Sequence, residues 1–225
     1  MRHLVVVSTS CGRAKNVKKM VTSAGKHMPG YPVFVAVNPG SEDEKSVIES
    51  GATPILIDGR LKFQKLPWIY NTLRLIPESK FVLHIDADTE LTERIIRSIA
   101  TVMTVENAFG IPELQNGLDI PDEMGTLLAP YIALKRALEI APIDEFCGWC
   151  RDDIFLRWRL VSLGLTPLRM PRAWAANHHD SRARSRAYTV PHEVSANHAL
   201  ILELGYQARG LYKISAKNAE EMRMK

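Results

Sequence analysis

The segment Phe81-Val82-Leu83-His84-Ile85-Asp86-Ala87-Asp88-Thr89 runs an apolar stretch into two carboxylates at i and i+2. In an extended chain that spacing starts both side chains on one side of the strand's carboxyl end. Two anions held together are costly unless a positive charge is shared between them, and hard oxygen ligands suit Mg²⁺ or Mn²⁺. A capping or surface role is the plainer alternative. A second pair, Asp152-Asp153, follows Cys147-Gly148-Trp149-Cys150-Arg151 and runs into Leu156, Arg159-Leu160 and Gly164. At the first turn of an amphipathic helix the dipole favours ionised carboxylates, the form a general base needs. The competing use makes Asp152 the helix cap and Asp153 an ordinary first-turn charge.

The rest of the chain must supply that strand end and that helix start. Residues 4–8 form a continuous apolar strand, followed by a polar turn over 9–13 and a helix over about 15–24. Residues 31–37 form a second strand ended by Asn38-Pro39-Gly40, with Ser41 placed to cap a short helix to residue 50. The pattern repeats as strand 54–58, helix 66–76, strand 80–85 and helix 92–103. Strands alternating with helices predict an α/β fold, a largely parallel sheet covered on both faces. Such sheets bind ligands beyond the carboxyl ends of their strands, so residues 8–10, Asn38, Asp58 and the residues after Ile85 are expected to converge on one crevice.

Beyond residue 105 the alternation loosens. Residues 109–112 and 128–134 read as strands, 117–125 as loop, 135–140 as a helical turn, 168–174 as a last strand, and the tail from Pro191 as partly helical. The strongest helix here starts at Asp152, carries Ile154, Phe155, Trp158 and Val161 at burial spacing, and stops at Gly164. This half reads as additions to the first sheet, so residues 1–225 form one domain.

At 225 residues, 46% hydrophobic and 24% charged, the chain has the composition of a globular protein and not of a disordered, collagenous or coiled-coil one. No apolar stretch approaches the roughly 18 residues of a membrane helix, so neither a span nor a cleavable signal is expected. Three cysteines without an export signal predict reduced thiols and a cytoplasmic setting. The formal charge of +4 divides into +6 over residues 1–41, −8 over 42–150 and +6 over 151–225. That distribution suits a carboxylate-lined metal site with cationic walls for a phosphate-bearing ligand; ordinary surface variation would also produce it.

The Asp86-Ala87-Asp88 strand end and the Gly148-Trp149, Asp152-Asp153, Leu156, Arg159-Leu160, Gly164 series together resemble the two signatures of GT-A fold glycosyltransferases of the family-two and galactosyltransferase-like kind. The resemblance takes in residues 129–136 and Asp144-Glu145 and runs from about Leu4 to His179. It implies a GT-A-like, Rossmann-like domain with a nucleotide-sugar-binding half over 1–104 and an acceptor-side half over 105–225. It places Asp86 on the ribose side and Asp88 on a Mn²⁺ or Mg²⁺ ion, and it makes Asp153 or Asp152 the base. Asp152 stands where Glu is usual. His178 or His179, after the following strand, would complete the metal site. Thr9, Asn38 and Asp58 would offer hydrogen bonds to base and ribose, and Lys65 or Arg60 would face phosphate. The first two strands end in Ser8-Thr9-Ser10 and Asn38-Pro39-Gly40, where the family has a Pro-containing turn and an acidic pair, which weakens the case for uracil. The implied donor is a nucleotide-sugar, a UDP-sugar first. The acceptor would be a glycan, a lipid-linked glycan, a protein or hydroxymethylated DNA.

Other readings compete. Asp86-Ala87-Asp88-Thr89 also resembles the nucleophile motif of haloacid-dehalogenase-like phosphatases, but there it ends the first core strand. A nucleotidyltransferase would share the crevice, with Cys11-Gly12-Arg13 a poor substitute for its Gly-rich loop. Cys147 and Cys150 have redox or zinc spacing, but no second pair completes a set. A non-enzymatic nucleic-acid-binding module would use Lys15, Lys18, Lys19, Arg182, Arg184 and Arg186.

Overall fold

The computed structural model describes residues 2–57, 65–114, 126–139 and 152–177. Eight strands form one sheet in the order β3-β2-β1-β4-β7-β6-β8-β5. They are β1 Arg2–Thr9, β2 Val33–Val37, β3 Thr53–Leu56, β4 Ser79–His84, β5 Thr89–Leu91, β6 Ala108–Leu114, β7 Leu127–Pro130 and β8 Thr166–Asn177. The first four in spatial order are parallel, with Val6 opposite Val33 and Leu83, and Ala36 opposite Ile55. β7 runs antiparallel to β4 and β6, β8 is parallel to β6, and β5 is antiparallel to β8. Strands from both halves of the chain thus share a single sheet.

Side chains along each strand alternate between two cores. Val5, Val7 and Val82 pack with Leu66, Ile69 and Leu73 of α3 (Lys65–Leu75), with Tyr131, Leu134 and Leu138 of α5 (Tyr131–Glu139), and with Phe155 and Leu160 of α6 (Asp152–Ser162). Leu4, Val6, Phe81 and Leu83 face the opposite way. They pack with Val17, Met20 and Val21 of α1 (Ala14–His27), Val47 of α2 (Glu42–Glu49) and Ile95, Ile99 and Val102 of α4 (Ile95–Met103). Spacing of three and four residues puts the sets of α1, α3, α4 and α5 each on one stripe, and among the described residues three helices lie on each face.

Helix ends follow local chemistry. The Ser41 hydroxyl accepts from the Glu44 N–H at 3.2 Å and the Glu44 carboxylate accepts from the Gly40 N–H at 2.6 Å, a capping arrangement that starts α2. Gly164, at φ +86°, supplies the left-handed residue that ends α6.

Three expectations are corrected. Residues 128–134 are not one strand: β7 stops at Pro130 and α5 follows at once. Tyr131, Leu134 and Leu138 recur at helical spacing, and the buried Tyr131 hydroxyl donates to the Leu73 carbonyl of α3, which fixes this helix against its neighbour. Residues 89–91, left unassigned between the expected strand 80–85 and helix 92–103, form β5, made by pairing with β8. The last strand also extends past the expected 168–174 at both ends.

Candidate functional site

The chain leaves β1 toward β2 and β3 on one side and reaches β4 on the other, so the strand order reverses between β1 and β4. Open α/β sheets bind ligands at such a switch, beyond the carboxyl ends of the strands. There β1 ends at Thr9 and runs through Ser10 to Arg13, while β4 ends at His84 and runs through Asp86 to Asp88. The motif therefore closes the fourth strand of the chain, unlike a phosphatase nucleophile motif.

The two carboxylates meet two cations from different walls. Lys65, the first residue of α3, places Nζ 2.6 Å from Asp86 Oδ1, and Arg13 places Nη1 2.6 Å from Asp88 Oδ2. The Asp88 side chain is 8% exposed and that of Asp86 23%, so both pairs are shielded from bulk water. Burial pushes the Asp86 carboxyl up, but the Lys65 ammonium, His84 and Arg13 outweigh it and hold its pKa at about 2. Asp86 is an anion throughout the physiological range. The Asp86 N–H is fixed by the Thr126 hydroxyl at 2.9 Å, just before β7.

Arg13 is held in turn by a buried acid. The Asp43 carboxylate of α2, 3% exposed, accepts from the Ser10 hydroxyl, from the Gly12 N–H at 2.8 Å and from the Arg13 N–H at 2.9 Å. Gly12, at φ +69°, takes the left-handed conformation that lets two successive N–H groups turn toward one carboxylate. Sequence reasoning missed both Arg13 and Asp43. A basic residue after a glycine beyond the first strand was the available signal for Arg13. Asp43 looks like one of three acidic residues in the first turn of α2, and nothing local marks it as buried.

The other expected residues divide. Thr9 is buried at the end of β1. Asn38 stands just past β2, its Nδ2 3.7 Å from Cys11 Sγ and its carbonyl accepting from the Ser41 hydroxyl. Lys65, expected on phosphate, is at the crevice but bonded to Asp86. Asp152 and Asp153 form the start of α6, with their side chains outside the described part of the structure. Asp58, Arg60, Asp144, Glu145, Cys147, Cys150, His178, His179, Arg182, Arg184 and Arg186 lie outside the described residues. Asn177, which immediately precedes His178, pairs with Thr89 beside Asp88. Lys15, Lys18 and Lys19 lie on the exposed side of α1, and Lys18 pairs with Glu49 at 3.1 Å. Among the described residues no helix is long and apolar enough to cross a membrane, and no group of three or more His, Cys, Asp or Glu is placed to hold a metal.

No family model matches the sequence, and no curated protein does. Solved structures do. A mycobacterial protein superposes with a TM-score of 0.63 at 12% identity over 93% of this chain and 77% of its own. Residues 1–349 of TarS from S. aureus give 0.59 at 12% identity, over 97% of this chain and 77% of that one. A 4-diphosphocytidyl-2C-methyl-D-erythritol synthase gives 0.56 at 14% identity, over 86% of this chain and all of its own. At such identities the likeness is one of fold: a helix-flanked, mostly parallel α/β sheet of the kind shared by GT-A and nucleotidyltransferase-like enzymes.

Proposed function

We propose that this chain is a transferase that moves a sugar from a nucleotide-sugar to an acceptor hydroxyl with the help of a divalent metal. The observation that carries the reading is the pair Asp86 and Asp88 at the β1/β4 switch, each ion-paired to a cation from a different wall. Two carboxylate side chains suit Mg²⁺ or Mn²⁺, which keep waters and take substrate phosphates as their remaining ligands. Asp88 and Asp86 would hold the ion, and His178 or His179, just beyond the strand residue paired with Thr89, would add an imidazole. When bound, the metal supplies positive charge at the leaving phosphate oxygens.

Thr9, Asn38 and Asp58, from the ends of the first three strands, would hold base and ribose, with Asp86 on the ribose side. Lys65 would move between Asp86 and phosphate. Asp153, or Asp152 beside it, would take the acceptor proton at the start of α6, where the helix dipole favours its ionised form. The acceptor oxygen bonds to the anomeric carbon as the bond from that carbon to the diphosphate breaks, which inverts the centre. The donor would be a UDP-sugar first, and the acceptor a glycan, a lipid-linked glycan, a protein or hydroxymethylated DNA. Action in the cytoplasm, with no membrane span, belongs to the same proposal.

Arg13, a cation on the loop after β1, favours a second reading, nucleotidyl transfer. In that reaction a phosphate oxygen attacks the α-phosphorus of a nucleoside triphosphate and pyrophosphate leaves. One screen separates the two. The protein with Mn²⁺ is incubated with nucleotide-sugars, then with nucleoside triphosphates plus sugar or polyol phosphates, and the leaving group is identified. Release of nucleoside diphosphate, lost in Asp88→Ala, supports glycosyl transfer; release of pyrophosphate alone overturns it in favour of the second reading.

A further inference from the structure

The Arg13–Asp88 pair has an arrangement that a surface ion pair lacks. Arg13 is 18% exposed and Asp88 8%, and the arginine is placed from behind: Gly12 and Arg13 both donate their N–H groups to buried Asp43. A buried acid thus fixes the backbone from which a long cation reaches Asp88, while Lys65 does the same for Asp86 from α3. Two carboxylates two residues apart repel each other, and these two cations offset the repulsion without a metal. The same oxygen of Asp88 serves poorly as a metal ligand while a guanidinium holds it at 2.6 Å, because a dication and Arg13 would then face each other across one carboxylate. An incoming diphosphate changes that balance. It brings negative charge and a row of acceptor oxygens, and a guanidinium binds such oxygens in a two-pronged fork.

We propose that Arg13 is an exchangeable counter-ion. It holds Asp88 in the metal-free protein and passes to the diphosphate of a nucleotide when metal and nucleotide bind together. Metal alone is disfavoured, and metal and nucleotide each strengthen the binding of the other. Arg13 is on this account a positioning residue for the metal and a binding residue for the phosphates, and Asp43 keeps its backbone within reach of both. The inference rests on the metal-dependent nucleotide site proposed above and adds to it an order of preference among its occupants.

The test is isothermal titration of Mn²⁺ alone, then of UDP and of GDP without and with Mn²⁺, into the parent protein, Arg13→Gln and Arg13→Lys. Circular dichroism melts confirm that each variant is folded. Coupling between two ligands of one site commonly runs from about five-fold to about 150-fold. Arg13→Gln is expected to bind Mn²⁺ alone on the order of ten-fold more tightly than the parent and to bind nucleotide with Mn²⁺ on the order of ten-fold more weakly, losing the coupling. Arg13→Lys, which keeps the charge without the fork, should fall between them. The Mn²⁺ arm needs no nucleotide and decides whether Arg13 guards Asp88. Mn²⁺ binding that is the same in the parent and in Arg13→Gln overturns the exchange while leaving the metal site intact. Nucleotide weakened with Mn²⁺ binding unchanged also overturns it, leaving Arg13 a phosphate contact only. No Mn²⁺ binding by any of the three proteins, with or without nucleotide, overturns both the exchange and the metal-dependent function.

Discussion

Asp86 titrates far from its ordinary range because the Lys65 ammonium lies 2.6 Å away, and the consequence has a definite sign. A carboxyl with a depressed folded pKa contributes stability that is present above its unfolded value of 3.8 and lost as pH falls through about 2. Removing Lys65 takes away the largest lowering influence and leaves His84 and Arg13 alone against burial, which acts in the opposite direction. In Lys65→Met without metal, the Asp86 carboxyl is therefore expected to titrate well above the parent's value of about 2, as followed by NMR of its carboxyl carbon. An unmoved midpoint would mean that Lys65 is not the main counter-ion. Asp43 gives a second residue-scale prediction. Its carboxylate accepts three bonds from the loop after β1, and an amide in its place turns a donor toward donors. Asp43→Asn should lose about 2 kcal/mol in urea unfolding, the scale of hydrogen bonds to a charged group. A loss below about 0.5 kcal/mol, the size of an ordinary surface substitution, would make the clamp dispensable.

At the scale of elements, α2 owes its start to Ser41 and Glu44 and carries Asp43 in its first turn. Ser41→Ala should therefore cost about 1 kcal/mol. It should also speed amide exchange at Gly12 and Arg13, which donate to Asp43 from another element. Exchange unchanged there would show that α2 is seated without its cap. Elements like this one were legible because their signals are local: a Ser followed three residues on by a Glu, a buried run ending in polar residues, apolar positions three and four apart. Residues 128–134 defeated that approach because Leu-Ala-Pro-Tyr-Ile-Ala-Leu is apolar at either period, and the helical stripe emerges only when Leu138 is counted. Three-residue β5 has no pattern of its own and exists through β8. The site divides in the same way. Asp86 and Asp88 could be read at a strand end, whereas Asp43 acts on residues 30 to 33 positions away and becomes visible only once α2 is folded onto the β1 loop.

At the scale of the molecule, both halves of the chain share one sheet, and the seams between them are specific. Phe81, Val82, Leu83 and His84 of β4 pair with Pro130, Ala129, Leu128 and Leu127 of β7, and α4 packs its Val102 beside Met170 of β8. Gly110 of β6 sits at that second seam. A Cβ there would lie 2.7 Å from Met170 Sδ, 2.9 Å from Met170 Cε and 3.1 Å from a Val102 methyl, so any larger residue forces the flexible methionine to move. Because the atoms that must give way are the flexible end of Met170, Gly110→Ala should destabilise by only about 1 kcal/mol, the low end of overpacking costs. Met170→Ala should cost about 2 to 5 kcal/mol by leaving a cavity. The new methyl partly fills that cavity, so the double variant should be more stable than the sum of the singles by about 1 kcal/mol. Because the first-half helix α4 and the second-half strands β6 and β8 meet at this point, the loss should fall on the whole molecule. In a background where Trp149, Trp158 and Trp174 are replaced by Phe, leaving Trp68 of α3 as the sole tryptophan, fluorescence and far-ultraviolet circular dichroism should then move to lower urea together in every variant, in one transition. If the Gly110→Ala curve split, with Trp68 unfolding at the parent's midpoint, the two halves would fold independently and the seam would be only a contact between domains.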